Sequence, residues 1–186
     1  DFNVSDVGTS VGTVNISGSG TLTAAGTAFI GKNTGTSGTI NLSGGSFTGG
    51  TSVWLASGAG STGVVAITGG TFTGGGTNEF QIGRSGQGTW NQSDGATNAG
   101  GWVSIGRLAG SVGVANISGG TFTQTGTGNM LLVGEVGTGT LTVSGTGAVT
   151  SLGTALVISN DTAAVGTVNL DGGTLTARQV TAGAAG

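Results

Sequence analysis

The chain has little or nothing of several residue types on which protein chemistry commonly depends. Its 186 residues include no cysteine, histidine, tyrosine or proline, and only four Lys or Arg and seven Asp or Glu. Without cysteine there are no disulfides and no thiolate metal sites, and the redox compartment is left open. Four basic residues do not make a surface for a phosphate backbone, so nucleic-acid binding is not expected. No run of about 18 apolar residues occurs, so no membrane span is expected.

What the chain has in abundance is glycine, with 44 residues. Intrinsic disorder normally combines low hydrophobicity with high net charge. Here the hydrophobic residues make up 35% of the chain, the net charge is only −3, and the glycines fall at fixed positions between alternating apolar residues. We therefore predict an ordered chain.

A phrase close to Gly-Thr-Val-Asn-Ile-Ser-Gly-Gly-Thr-Phe-Thr returns about every 25 residues. A fixed period of roughly 20 to 50 residues is typical of stacked arrays. We interpret residues 1–186 as a single β-solenoid of tandem repeats. The repeats start near Gly12, Gly38, Gly63, Gly88, Gly113, Gly139 and Gly166.

Each repeat divides into three short stretches separated by glycine. The first alternates, as at Val14 and Ile16; the second has one large apolar residue, such as Phe47; the third has two, such as Val53 and Leu55. Alternation predicts strands with one buried face. The predicted fold is all-β: a parallel β-helix (β-solenoid) with three short strands per coil, about 25 residues per coil and about seven coils. Because about 98% of parallel crossovers are right-handed, we predict a right-handed helix.

Outward positions of the strands are mostly Thr and Asn, and we expect them to form ladders along the axis. The Thr-x-Thr pairs of the second strand resemble the flat array of ice-binding β-solenoids. The competing interpretation is that threonine is present for strand propensity alone, and Ser46, Ala96, Asn98 and Ala148 interrupt the array. The candidate ice-binding or ladder face comprises Thr21, Thr23, Thr71, Thr73, Thr121, Thr123, Thr174 and Thr176.

Large apolar residues recur at one outward position of the third strand. They are Phe29, Trp54, Leu132 and Val157. An exposed apolar stripe usually marks contact with another chain or with a flanking segment. We predict an association stripe, with a locally shifted register as the alternative.

The fourth repeat departs from the pattern, because Gln92 stands at the position of Ile67 and Thr97 at that of Phe72. A buried glutamine without hydrogen-bond partners costs about 1–3 kcal/mol. The favoured interpretation is that Trp90 fills the space and Gln92 bonds to corner backbone. The alternative is a polar pocket inside the coil.

Catalytic chemistry is not expected. The seven carboxylates fall at scattered positions, and no two are expected to face each other across a cleft, as most glycoside hydrolysis requires. We expect Arg107 and Glu135 to lie one coil apart and to form an exposed ion pair. No metal ligand set, cofactor motif or catalytic residue is assigned.

Three phrases carry a resemblance to a known family: Gln92-Ser93-Asp94-Gly95, Val103-Ser104-Ile105-Gly106-Arg107 and Asn116-Ile117-Ser118-Gly119-Gly120-Thr121-Phe122. They resemble the autotransporter-type β-helix repeats of large bacterial surface proteins, including those with PEP-CTERM sorting tails. Such repeats serve as stalks, adhesins and matrix components. The resemblance implies an extracellular or cell-surface location and no catalytic residues.

The leading expectation is an extracellular structural β-solenoid that forms a stalk, fibre or matrix element. The chain starts inside a third strand and ends without a capping helix, so we expect a longer rod or one that self-associates, head to tail or laterally. The alternative is a binding surface for ice, or an adhesin toward carbohydrate or a cell surface. The exposed aromatic residues are too few to mark a carbohydrate site from sequence.

Overall fold

A computed structural model describes residues 1–183 and shows twenty β-strands. None of these residues belongs to a helix, so none forms a helix that is long and apolar enough to cross a membrane. The strands follow one another around a coil, and each pairs in parallel with its equivalents in the coils before and after it. The prediction of an all-β parallel solenoid with about seven coils of about 25 residues is confirmed.

Three stacks of strands run along the axis. The first strands of the coils are β2 (Val11–Ile16), β5 (Ser37–Gly49), β7 (Thr62–Gly74), β9 (Gln87–Gln92), β12 (Val112–Ile117), β15 (Thr138–Ser144) and β18 (Val165–Asp171). The second strands are the C-terminal halves of β5 and β7 together with β3 (Thr21–Ala24), β10 (Ala96–Ala99), β13 (Thr121–Gln124), β16 (Ala148–Ser151) and β19 (Thr174–Ala177). The third strands are β1 (Phe2–Val4), β4 (Ala28–Ile30), β6 (Ser52–Leu55), β8 (Glu79–Ile82), β11 (Trp102–Ile105), β14 (Met130–Val133), β17 (Ala155–Ile158) and β20 (Val180–Ala182).

The register of the stacks follows the sequence repeat. Gly12 pairs with Gly38, which pairs with Gly63, and the same partnership continues through every repeat start to Gly166. Equivalent residues of successive repeats therefore lie directly above one another. The right-handed sense of the coil stays a prediction.

One detail of the predicted coil is corrected. β5 and β7 each continue through the first corner as 13-residue strands, so the first and second stacks join into one 12-stranded sheet, while the third strands form a separate 8-stranded sheet. The register shifts between Ser43 and Ser46, where a bulge bends the chain without ending the ladder. In these two coils the first corner is therefore a bend within a continuous strand, whereas in the other coils the first and second strands are separate.

The predicted inward residues make one continuous core along the axis. Phe47 and Phe72 stack one coil apart, with ring centroids 4.4 Å apart and an interplanar angle of 22°. Trp90 of the next coil meets Phe72 edge-on at 4.9 Å, and it also contacts Phe80 and Phe122. All five rings are buried. No single coil could bury such a face alone, so stacking creates the core.

Glycine at the first corner permits close approach of the coils. Gly45 has a φ of +68°, and a Cβ placed there would lie 2.0 Å from the carbonyl oxygen of Gly20 in the preceding coil. Gly60, at another corner, has nearly the same φ of +65°, but a Cβ placed there would have no other atom within 4 Å. Substitutions at the two glycines therefore separate the cost of backbone strain from the cost of a collision between coils.

We expect Gly45→Ala to destabilise the fold much more than Gly60→Ala, measured as the free energy of unfolding in urea. Gly60→Ala reports the left-handed backbone alone, which costs about 1–2 kcal/mol for a residue with a Cβ. Gly45→Ala adds a collision with the backbone of the preceding coil, and we expect a loss larger by about 2 kcal/mol or more. Equal losses of unfolding free energy in the two variants would mean that the coils lie farther apart at this corner than they do in the structure.

Candidate functional site

Gln92 is part of the core and is fully satisfied there. Its amide nitrogen donates to the carbonyl oxygens of Gly95 and Thr121, at 3.2 and 2.9 Å. Its carbonyl oxygen accepts from the Thr97 hydroxyl at 2.7 Å and from the Trp90 indole at 3.5 Å. The favoured interpretation, with Trp90 filling space and Gln92 bound to corner backbone, is confirmed, and the polar pocket is not formed.

The sequence did not predict that a second glutamine, Gln124, is buried. Its amide nitrogen donates to the carbonyl oxygens of Gly101 and Gly126, and its carbonyl oxygen accepts from the Ser151 hydroxyl and the Gly153 amide at 2.9 Å each. The available signal was its position, because the equivalent residues in other coils are the small ones, Ala24, Gly49, Gly74 and Ala99. Like Gln92, it joins corners of adjacent coils and is structural.

The Thr-x-Thr face has the predicted geometry. The second Thr of each Thr-x-Thr pair forms one line along the axis, in which Thr23, Thr48 and Thr73 are register partners. The first Thr of each pair forms a second line, in which Ala96 lies between Thr71 and Thr121. The second line is broken again at Ala148 before it reaches Thr174. The candidate face, Thr21, Thr23, Thr71, Thr73, Thr121, Thr123, Thr174 and Thr176, is thus a ladder with gaps, and its binding to ice stays a prediction.

The asparagine ladder forms in segments. Asn41 donates to Asn15 at 2.8 Å, and Asn116 donates to Asn91 at 2.9 Å. Ala66 lies between these two segments in the register and interrupts them. The amides therefore bond along the axis where asparagines are adjacent, as the sequence predicted.

The predicted association stripe lies on the side of the 8-stranded sheet that faces away from the core, which we call the outer face. Successive partners along it are Phe29, Trp54, Gln81, Ser104, Leu132 and Val157. The register is therefore as predicted, but the exposure is not: Phe29, Leu132 and Val157 are buried and Trp54 is half-buried. The stripe is not an open apolar surface.

Side chains of the same chain cover the stripe. Lys32 lies over the Phe29 ring, with its Nζ 5.0 Å from the centroid, and Arg84 lies over Trp54, with its Cζ 3.9 Å from the centroid. Leu132 and Val157 form a small separate cluster with Ala155 and the partly buried Met130. Lys32, which follows β4, and Arg84, which follows β8, thus fold over aromatic rings of the stripe, which the alternation of apolar and polar residues did not reveal.

The outer face also holds the ion pairs found in residues 1–183. They are Lys32–Asp6 at 3.4 Å, Arg84–Glu79 at 3.5 Å and Arg107–Glu135 at 2.9 Å. The sequence predicted the last pair correctly, although Glu135 is more buried than expected for an exposed pair. Three of the four basic residues of the chain thus lie on one face.

Glu135 has an unusual environment. One of its carboxylate oxygens accepts a short hydrogen bond from the Ser104 hydroxyl, and the other pairs with Arg107. Burial raises the pKa of Glu135 above its ordinary value of 4.5 and outweighs Ser104 and Arg107, which lower the pKa; the charge of Glu79 raises it further. Glu79 and Glu135 lie two coils apart and border the same region of the outer face.

Those carboxylates line a trough on the outer face. A cavity of about 210 Å³ is bounded by Glu79, Gln81, Trp102, Ser104, Arg107 and Glu135. A wider, shallower cavity of about 540 Å³ adjoins it and shares Glu79 and Trp102. The scattered positions of the carboxylates in the sequence did not predict that Glu79 and Glu135 line one trough, because the two residues lie two coils apart.

The pH dependence of stability tests the environment of Glu135. Because its folded pKa is raised, its contribution to the free energy of unfolding is fully present below about pH 4.5 and is lost as pH rises through the folded pKa. We expect the difference in stability between the wild type and Glu135→Gln, measured by urea unfolding, to fall over that window and then level off. Glutamine keeps the size of the side chain. A difference that grows with pH would mean that Arg107 outweighs burial.

Comparisons with protein-family models, with curated proteins and with solved structures found no match to this chain. The resemblance to autotransporter-type repeats therefore stays a prediction. Among residues 1–183, no group of three or more acidic side chains comes together in a way that could hold a metal ion. Among the surfaces formed by residues 1–183, the outer face departs most from the repeat, because it holds the ion pairs and the trough.

Proposed function

We propose that the chain is an extracellular structural β-solenoid, which serves as a stalk, fibre or matrix element and supplies length and stiffness. The observation that supports this proposal is the unbroken register of the stacks. Each repeat start pairs with the next from Gly12 to Gly166, and one apolar cluster runs from Val4 to Leu156. The residues that recur in every repeat are used for stacking.

Such a rod resists bending because each coil is held to its neighbours by strand ladders on every side. The coils rise by about 4.8 Å each, so seven coils give a rod of roughly 34 Å. In a stacked array, stability is approximately a sum of coil stabilities and nearest-neighbour interfaces. Adding coils therefore lengthens the rod without a new fold.

The rod extends, in this proposal, when a further coil stacks on an apolar coil end. Leu170 of the last coil is the register partner of Val143, which is fully buried, yet Leu170 is 58% exposed. Within residues 1–183 no further coil covers it, so a coil stacked there, from the same chain or from a second copy, would bury it. Exposed ends of a solenoid present both apolar residues and unpaired strand edges to a second copy.

We expect the protein to assemble head to tail in a concentration-dependent way, and Leu170→Lys to abolish the assembly. A charge placed in a coil-to-coil contact would have to be buried without a partner, which is costly. Sedimentation velocity and negative-stain images measure the assembly. Leu152→Lys is the matched control, because Leu152 is 44% exposed but follows β16 on the side of the rod.

Short monomeric rods at every concentration would contradict assembly between copies. Equal loss of assembly in Leu152→Lys would place the contact on the side of the rod and not at its end. The free energy of unfolding of both variants is measured in parallel, so that loss of assembly is not confused with loss of folding.

A further inference from the structure

We propose that the trough on the outer face binds a neutral oligosaccharide, with Trp102 as its stacking platform. The inference goes beyond the structural role, because the apolar core along which the coils stack contains none of the residues that line the trough. It rests on three features: an aromatic ring that no other ring or cation covers, an amide that lines the cavity, and charges that are already paired.

Trp102 differs from the other two tryptophans. Trp90 is packed in the core, and Trp54 is covered by Arg84 and touched edge-on by Phe29. Trp102 is 39% exposed, and its ring stacks on no aromatic or basic group within residues 1–183. An indole that is apolar on its face and polar at its N–H suits the C–H face of a sugar ring beside hydroxyl groups.

Gln81 supplies a polar group that lacks a protein partner. The residue is 1% exposed, and its carbonyl oxygen accepts from Arg84 at 2.9 Å. Its amide nitrogen makes no hydrogen bond within residues 1–183, and the side chain lines the smaller cavity. Gln81 Nε2 borders the cavity, where a ligand hydroxyl would accept a hydrogen bond from it.

Glu79 is held in place between the two cavities. Its Oε2 accepts from the Trp54 indole at 3.1 Å and pairs with Arg84 at 3.5 Å, while Oε1 accepts no hydrogen bond from residues 1–183. The carboxylate is thus oriented by protein groups and keeps one oxygen for a ligand. A fixed acceptor next to an aromatic plate is the arrangement that orients a hydroxyl-rich ligand.

The lining favours a neutral sugar over an ion. Arg84 is paired with Glu79, and Arg107 with Glu135, so the trough has no unpaired charge to select an anion or a cation. The wider cavity adds hydroxyl and amide side chains, which donate and accept hydrogen bonds without net charge. They belong to Thr27, Thr51, Ser52, Thr77 and Asn78.

The part of the trough between Ser52 and Trp102 runs along the axis over three coils. Ser52 pairs with Glu79, and Glu79 pairs with Trp102, so the two ends of this line are about 10 Å apart at 4.8 Å per coil. Successive sugar residues of an extended glycan advance by a distance similar to one coil. A segment of two or three sugars would therefore lie along the trough, with one ring on Trp102.

The test is a titration of the full chain with neutral hexaoses of glucose, mannose, galactose and N-acetylglucosamine, followed by calorimetry and by tryptophan fluorescence. We expect at least one hexaose to bind and Trp102→Ala to weaken it at least tenfold. Glu79→Gln should weaken it less, since an amide oxygen still accepts. Val112→Ala is the matched control, because Val112 is 38% exposed on β12, outside the trough, and we expect it to leave binding unchanged.

Failure of all four hexaoses to bind the wild type would overturn the proposal. Equal weakening by Val112→Ala would overturn it as well, since the contact would then be nonspecific. If Trp102→Ala changes only the sedimentation coefficient, the face is a contact between copies and the oligosaccharide is excluded. None of these results depends on Leu170, so the proposal and end-to-end assembly fail or succeed separately.

Discussion

The structure depends on one interaction, the in-register parallel pairing of each strand with its equivalent one coil away. This pairing places identical side chains above one another, so Phe47 stacks on Phe72 and Asn41 bonds to Asn15. It also leaves little room at the corners, where Gly45 passes close to the backbone of the preceding coil. Core, ladder and corner are three consequences of the same register.

Departures from the repeat are informative because the register places each one directly against its equivalents in the neighbouring coils. Gln92 and Gln124 replace apolar or small residues, and both are satisfied by backbone groups of adjacent corners. The outer face departs further, since its register positions hold an aromatic ring, an amide and a hydroxyl in succession at Trp54, Gln81 and Ser104. Differentiation of this kind is expected where a surface does more than stack.

The sequence predicted the coil, its inward residues and its ladders, because a period of about 25 residues and strict alternation depend only on local positions. It did not predict that Lys32 and Arg84 fold over the aromatic stripe, or that Glu79 and Glu135 line one trough. Both features depend on the directions of long side chains across one or two coils. Alternation predicts which side of the sheet a residue faces, but it does not predict which side chains cover that residue.

The most direct test of the stacking register is to insert four extra copies of residues 63–87, one whole period, after Gln87. We expect a folded protein whose rod is longer by about 19 Å, at 4.8 Å per coil, in small-angle X-ray scattering. Four scrambled copies of the same segment are the control and should not lengthen the rod as ordered coils do. An insertion of true copies that unfolds the protein, or that leaves the length of the rod unchanged, would contradict stacking of equivalent coils as the basis of the fold.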